Sequence, residues 1–397
     1  MNILQICPKP PLPLTDGGCI AYHALTTGLL NAGHHVKVLT IFTEKHDFMP
    51  EQMSDEYIRS TDIEGVFVDT KLNVVDIYSS FITRDAYNLN RFYSVDVDIR
   101  LTRILQKQKF DCIILEGLFT TPYLATIRRN SEARVVLRSH NIEHHIWDKL
   151  AHNERNFFKR IFLNYLSKKL HTAEIEAWRS VDGIACISQS DLITTQAFVR
   201  NRPLYVLPIS THMHIPKRQN EVANKMYHIG SMDWLPNIEA LDWFNETIWP
   251  SLHKEFPELE MHIAGRKMPN SFVTSERDNF FVHGEVPDAK LFALNYDIMA
   301  VPLLSGSGIR VKILEAFALG IPVIATHQAL RGLEVEHEVH VMIANTTEEW
   351  VAAYRHLQDV ETRNIMVEKA QQFLNENYGE QNIIRPFIDF IKSLKRK

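Results

Sequence analysis

Cysteine is scarce in this chain: Cys7, Cys19, Cys112 and Cys186 are all there are in 397 residues, and none forms a CxxC pair. Three of them sit in or beside apolar runs, the pattern of buried thiols in a reducing cytoplasm. Positive charge is not in excess either. A net charge of −5 gives no reason to expect nucleic acid as a partner. No apolar run reaches the ~18 residues of a membrane span. The opening Met1–Ile6 lacks the basic region and long apolar stretch of a signal peptide, and reads as the first strand of a domain. Low-complexity segments, short repeats and the Gly-Lys-Ser/Thr ending of a P-loop are all missing, and no Asp/Glu/His cluster has convincing metal spacing. The expectation is therefore a cytoplasmic protein, at most peripheral on a membrane, with metal-independent chemistry.

What is present is a globular composition, 45% apolar and 23% charged, on a chain long enough for two domains. Strand and helix patterns alternate. Strands are expected at Asn2–Cys7, Val36–Ile41, Asp111–Leu115, Ala133–Arg138 and Gly183–Ile187, with a first helix over Gly18–Ala32. The series restarts at Lys225–Ile229, continues through a helix near Asn237–Thr247, and adds strands at Glu260–Ala264, Phe280–His283, Ile298–Val301, Val323–Ala325 and Val341–Ile343. Short β-rich runs joined by helices imply parallel sheets covered on both faces. The fold class is thus α/β, with two doubly wound Rossmann-like domains facing a cleft. The expected boundaries are 1–208, a polar linker 209–224, 225–374, and a final helix over 375–397.

The densest chemistry lies in Leu303–Thr326. Gly306-Ser307-Gly308 precedes a helix opening with Arg310 and Lys312, Glu315 follows, and Gly320 and Pro322 stop the helix. A helix N-terminus exposes unpaired N–H groups and the positive end of the macrodipole, so it suits an anion. Glycines let the backbone approach a ligand closely. Gly308, Lys312 and Glu315, at i, i+4 and i+7, share a helix face. Cations for a phosphate and one acceptor for a hydroxyl suit a nucleotide-sugar. A dinucleotide fingerprint is excluded, because its third glycine falls on Val311.

Other constellations follow strands. The Pro8–Gly18 loop ends in Gly17-Gly18, whose amides open a helix and suit a diphosphate or an acceptor; a rigid surface turn is the plainer alternative. Arg138-Ser139-His140-Asn141 follows a strand, with Glu143 nearby, and His140 is either structural or functional. Gly230-Ser231 follows the first strand of the second domain, and Arg266-Lys267 a later one. Asp96-Val97-Asp98 looks like a metal-binding DxD but reads as a helix start, where acids favour the first turn. Asn153–Lys169 mixes aromatic and basic residues. It is either a membrane-surface helix or a core helix with a solvated polar face.

Together, Asp16-Gly17-Gly18, Arg138–Glu143, Gly230–Asn237 and Leu303–Thr326 resemble the retaining GT-B glycosyltransferases, specifically the GT4-like group 1 family, over nearly the whole chain. The resemblance implies transfer of a sugar from a nucleoside-diphosphate-sugar to a hydroxyl of a glycan or lipid-linked glycan, with retention and no other cofactor, in polysaccharide synthesis. It implies a donor-sugar role for His140, contact roles for Asn141 and Glu143, a ribose role for Glu315, and a nucleotide border at Arg266. Two departures stand out. Many relatives carry Arg and Lys where this chain has Ser231 and Asn237, so the diphosphate charge should fall to Arg310 and Lys312. The first of two family glutamates is replaced by Ser307, so backbone N–H groups of Ser307, Gly308 and Ile309 should hold the sugar. A nucleotide-sugar epimerase or hydrolase, or a non-catalytic binding subunit, are the competing readings.

Overall fold

The computed structural model describes residues 1–70, 87–154, 156–210, 223–306 and 310–395. They divide into two compact units, one formed by residues 1–210 with 383–397, the other by 211–382.

Among the described residues, the first unit carries a seven-stranded sheet in the order β3-β2-β1-β4-β5-β6-β7. Its strands are β1 (Asn2–Cys7), β2 (His35–Phe42), β3 (Glu64–Phe67), β4 (Cys112–Glu116), β5 (Arg134–Ser139), β6 (Gly183–Cys186) and β7 (Leu204–Val206). Every neighbouring pair is parallel. The period of two sends alternate side chains to opposite faces. Leu4, Ile113, Leu115, Val135 and Leu137 enter one core, while Ile3, Cys112, Ile114 and Val136 enter the other. Near-continuous apolar strands are what a sheet covered on both faces requires.

A helix at the end of the chain closes one of these cores, but not as the expected single helix over 375–397. The chain breaks at Gly379 between the helices Val360–Tyr378 and Glu380–Ser393. Ile383, Ile384, Phe387, Ile388 and Ile391 of the second helix pack on the first sheet. Gly183 makes that approach possible, because a Cβ there would lie 2.9 Å from both Phe390 and Leu394.

The second unit holds a six-stranded parallel sheet in the order β10-β9-β8-β11-β12-β13. Its strands are β8 (Lys225–Ile229), β9 (Glu260–Ala264), β10 (Phe280–Gly284), β11 (Ile298–Val301), β12 (Val323–Ala325) and β13 (Met342–Ile343). The helix expected at Asn237–Thr247 begins earlier, as Leu235–Trp243, with Pro236 in its first turn. Proline's fixed φ suits that position. A wider turn at Phe244–Ile248 then carries it into Trp249–Glu255.

Both sheets reverse strand order, at β1/β4 and at β8/β11. Beyond the carboxyl ends of strands at such points, helices diverge and leave a crevice for ligands. Of the expected linker 209–224, only Ile209, Ser210, Ala223 and Asn224 are among the described residues. The segment Asn153–Lys169 is not one helix: Glu143–Asn153 ends there and Phe157–Ser180 begins, capped by Asn156. Arg155 lies outside the described residues. Asp96 and Asp98 do occupy a helix start, in Val95–Lys107 capped by Ser94, and Asp98 accepts a hydrogen bond from Thr126.

Candidate functional site

In the second unit, the turn after β8 and the helix after β11 meet at the switch point. Lys312, on the helix Val311–Ala318, donates from Nζ to the Ile229 carbonyl at 2.8 Å and to Asn237 Oδ1 at 3.2 Å. Asn237 is buried, and its Nδ2 donates to the Ser231 carbonyl at 2.8 Å. One amide therefore ties the Gly230-Ser231 turn to the lysine. A Cβ on Gly230 would come within 2.9 Å of the ammonium and 2.7 Å of Asn237 Nδ2, so glycine keeps this space open. Gly265, after β9, closes the same turn from behind: a Cβ there would sit 1.7 Å from the Gly230 carbonyl oxygen.

Arg310 does not open the helix as the sequence suggested; it stands at the N-cap, with φ −84° and ψ 88°. Its guanidinium lies 5.1 Å from the centre of the Trp234 ring. Gly306, at φ +106°, has no room for a side chain, since a Cβ would be 2.8 Å from both Arg310 and Trp234. Gln328 holds the Gly306 carbonyl at 2.9 Å. Ser307, Gly308 and Ile309 lie outside the described residues.

Burial sets the electrostatics here. It pushes the Lys312 ammonium down to about 7, helped by the Arg310 charge and opposed by Glu315. Arg310 is pushed down to about 10 by burial. Burial raises the Glu315 carboxyl above its usual range, against the pull of Lys290 and Lys312. Two partly desolvated cations beside a helix N-terminus make a site that gains most when an anion enters. Arg266 is half-buried beyond β9, where its carbonyl accepts from Met232 N at 2.9 Å. Lys267 pairs with Asp233 at 3.3 Å.

The first unit gathers a different set at β1/β4. Glu116, fully buried at the end of β4, accepts from Gln5 Nε2 at 2.7 Å and lies 2.6 Å from His140 Nε2. Arg138, 1% exposed, stands 3.6 Å from the same carboxylate and donates to the Ala21 carbonyl at 2.8 Å. Burial raises the Glu116 carboxyl, but Arg138, His140 and Gln5 outweigh it and hold it below the usual range. Burial lowers His140 more than Glu116 lifts it, so the ring is neutral at pH 7. A neutral ring facing an ionised carboxylate donates from Nε2, which leaves Nδ1 as an acceptor.

The remaining residues named from sequence sit around this set. Asp16 caps the helix Gly17–Asn31, accepting from Gly18 N at 2.8 Å and Cys19 N at 3.1 Å. The Gly18 amide is thus already occupied, and Asp16 also pairs with Lys9 at 2.5 Å. Asn141 is exposed and donates to Glu143 at 3.4 Å. Burial and the neighbouring Glu174 push the Glu143 carboxyl up to about 7. Glu174 itself caps the helix Glu143–Asn153 from its side, taking the amides of Glu143 and His144 and the His144 ring at 2.6 Å.

Glu116, Gln5 and His228 lie in no motif of the sequence, and Trp234 stands inside the Gly230–Asn237 motif without a role of its own. The one signal for Glu116 was an acid closing the apolar run Cys112–Leu115. His228 is buried in mid-strand, where its Nδ1 meets the Ala300 carbonyl at 2.8 Å and its Nε2 lies 3.4 Å from Lys312. No group of three or more His, Cys, Asp or Glu among the described residues is arranged to hold a metal ion. Nor is any helix among them long and apolar enough to cross a membrane.

Two doubly wound parallel sheets, each with polar groups at its switch point, define the GT-B class of fold. Residues 223–359, within the second unit, match the family described as Glycosyl transferases group 1. It is similar to a protein from Klebsiella pneumoniae described as an uncharacterized 44.6 kDa protein in the cps region, at 23% identity over 96% of this chain and 97% of the relative. Among solved structures, HepE of Anabaena in complex with UDP-glucose superposes with a TM-score of 0.64 at 11% identity, covering 99% of this chain and 100% of that one. Sucrose-phosphate synthase of Thermosynechococcus elongatus gives a TM-score of 0.68 at 13% identity, covering 99% and 98%.

Proposed function

We propose that this protein transfers a sugar from a nucleoside-diphosphate-sugar to an acceptor hydroxyl with retention of configuration, in the synthesis of a cell-surface glycan or polysaccharide. The observation that carries the reading is the Lys312 ammonium seated at the Gly230–Asn237 turn, with Arg310 beside it. In this account the two cations and the helix amides take up charge on the departing diphosphate. A preorganised donor of that kind is worth about 3 kcal/mol in a transition state. Glu315 binds the ribose, and Nδ1 of His140 accepts from a sugar hydroxyl. The bond from the anomeric carbon to the phosphate oxygen breaks, the acceptor oxygen attaches on the same face, and the released phosphate oxygen takes the acceptor proton. No divalent metal takes part.

HepE's complex with UDP-glucose makes uridine nucleotides the first donors to test, and the relative in a cps region supports the polysaccharide context. Four buried free cysteines agree with a cytoplasmic setting. The test is release of nucleoside diphosphate from a panel of UDP- and GDP-sugars, with and without glycan acceptors, in excess chelator. Acceptor-dependent release that survives chelation is expected. Equal donor consumption without acceptor would instead indicate a hydrolase, and binding without turnover across the panel a binding subunit.

A further inference from the structure

The first unit also carries a surface that catalysis does not use. The helices Glu143–Asn153 and Phe157–Ser180 pack along each other as a hairpin. Deeper in the hairpin the second helix is an ordinary core helix, with Leu166, Leu170, Ala177 and Trp178 buried. At the tip the pattern inverts. Phe158 is 81% exposed, Phe157 58%, Ile161 52%, and Leu150 from the first helix 51%. Two adjacent phenylalanines standing in water cost burial energy that folding has not recovered, and such apolar clusters mark interaction sites.

Charge selects the partner. Between Asp148 and Lys169 the sequence has six Lys and Arg against two acids, in a chain whose net charge is −5. Both acids are engaged: Glu154 pairs with Lys159 at 2.6 Å, and Asp148 accepts from Ser167. Lys149, Lys159 and Arg160 are exposed around the apolar tip. Four apolar side chains are too few for a stable protein interface, which takes about 20–30 residues a side. They suffice to enter the boundary between headgroups and acyl chains while the cations meet anionic headgroups.

We infer that the hairpin tip is a docking element for an anionic lipid surface, inserting Phe157, Phe158, Ile161 and Leu150 with Lys149, Lys159 and Arg160 at the headgroups. This does not depend on the transferase reading. If that reading also holds, the docked protein faces acceptors carried on lipid.

The test is co-sedimentation of the full chain with phosphatidylcholine vesicles, with and without phosphatidylglycerol. Binding is expected only to the anionic vesicles, weakening as salt rises. The double variants Phe157→Ser/Phe158→Ser and Lys159→Glu/Arg160→Glu should each weaken it about tenfold or more. Their thermal melts should match the parent, because the replaced side chains are exposed. Three results overturn the proposal: no sedimentation with anionic vesicles, equal sedimentation with both kinds, or variants that sediment like the parent. So would concentration-dependent self-association lost in Phe158→Ser without vesicle binding, which would assign the tip to a second copy.

Discussion

Replacing Glu116 with alanine will destabilise the first unit by about 3–5 kcal/mol, the cost of leaving one partner of a buried ion pair uncompensated. Arg138 is 1% exposed, and without Glu116 its guanidinium would keep only the Ala21 carbonyl among its described partners. Gln5 and His140 would lose their shared acceptor in the same step. For a unit of this size the midpoint of thermal unfolding should fall by on the order of 10 °C, measured calorimetrically. The stability that Glu116 contributes is present at neutral pH. Its folded carboxyl is held below the ordinary range, so the contribution is lost only as the pH falls through that depressed value. Glu116→Gln should cost less, because the amide oxygen still accepts. It should nevertheless disturb His140, since the amide no longer fixes the Nε2–H tautomer; nitrogen NMR of the imidazole would register the change. An alanine variant as stable as the parent would show that Arg138 finds other compensation.

Nucleoside diphosphate binding at pH 8 should take up a proton through Lys312. Burial and Arg310 hold that ammonium down to about 7 before ligand arrives, and a bound diphosphate must raise it. Above pH 7 the free lysine is largely neutral, so binding draws a proton from solvent, and affinity falls as pH rises, by up to about tenfold per unit. Below about pH 6 the lysine is already charged and this uptake disappears. At pH 8 the phosphate itself, with a second pKa near ~6, is fully ionised and adds nothing. Titration calorimetry in two buffers of different ionisation enthalpy measures the uptake directly. Lys312→Arg should abolish it while keeping a cation, and Lys312→Ala should weaken binding roughly 10–100-fold. Absence of proton uptake in the parent at pH 8 would contradict the placement of the phosphates.

How far the sequence carried the fold depended on burial. Ile298–Val301 is a continuous apolar run closed by Pro302, and Lys225–Ile229 a mixed run closed by Gly230; the observed bounds of both match those expected. β3 and β7 are short edge strands, half-buried or exposed, and their brief apolar stretches are too short to stand out in the sequence. The break at Gly379 was hidden because helical periodicity resumes at once on its far side. At the site, the sequence names Lys312 by helix-face spacing, and Gly230 and Asn237 through the family resemblance. It could not show that one amide joins them, since that bond spans 75 residues. Glu116 and Gln5 lie 111 residues apart and meet only because β1 and β4 are neighbours. Arg310, expected to open the helix, stands at its N-cap instead, because its ψ of 88° is not helical.

The central claim is that Arg310 and Lys312 hold the diphosphate of the donor. Titration of UDP into the parent and into the Arg310→Ala/Lys312→Ala double variant at pH 7, with unfolding midpoints measured alongside, tests it most directly. The account predicts measurable binding by the parent and a loss of at least ~100-fold in a double variant that remains folded. Equal affinity in the two proteins would contradict it.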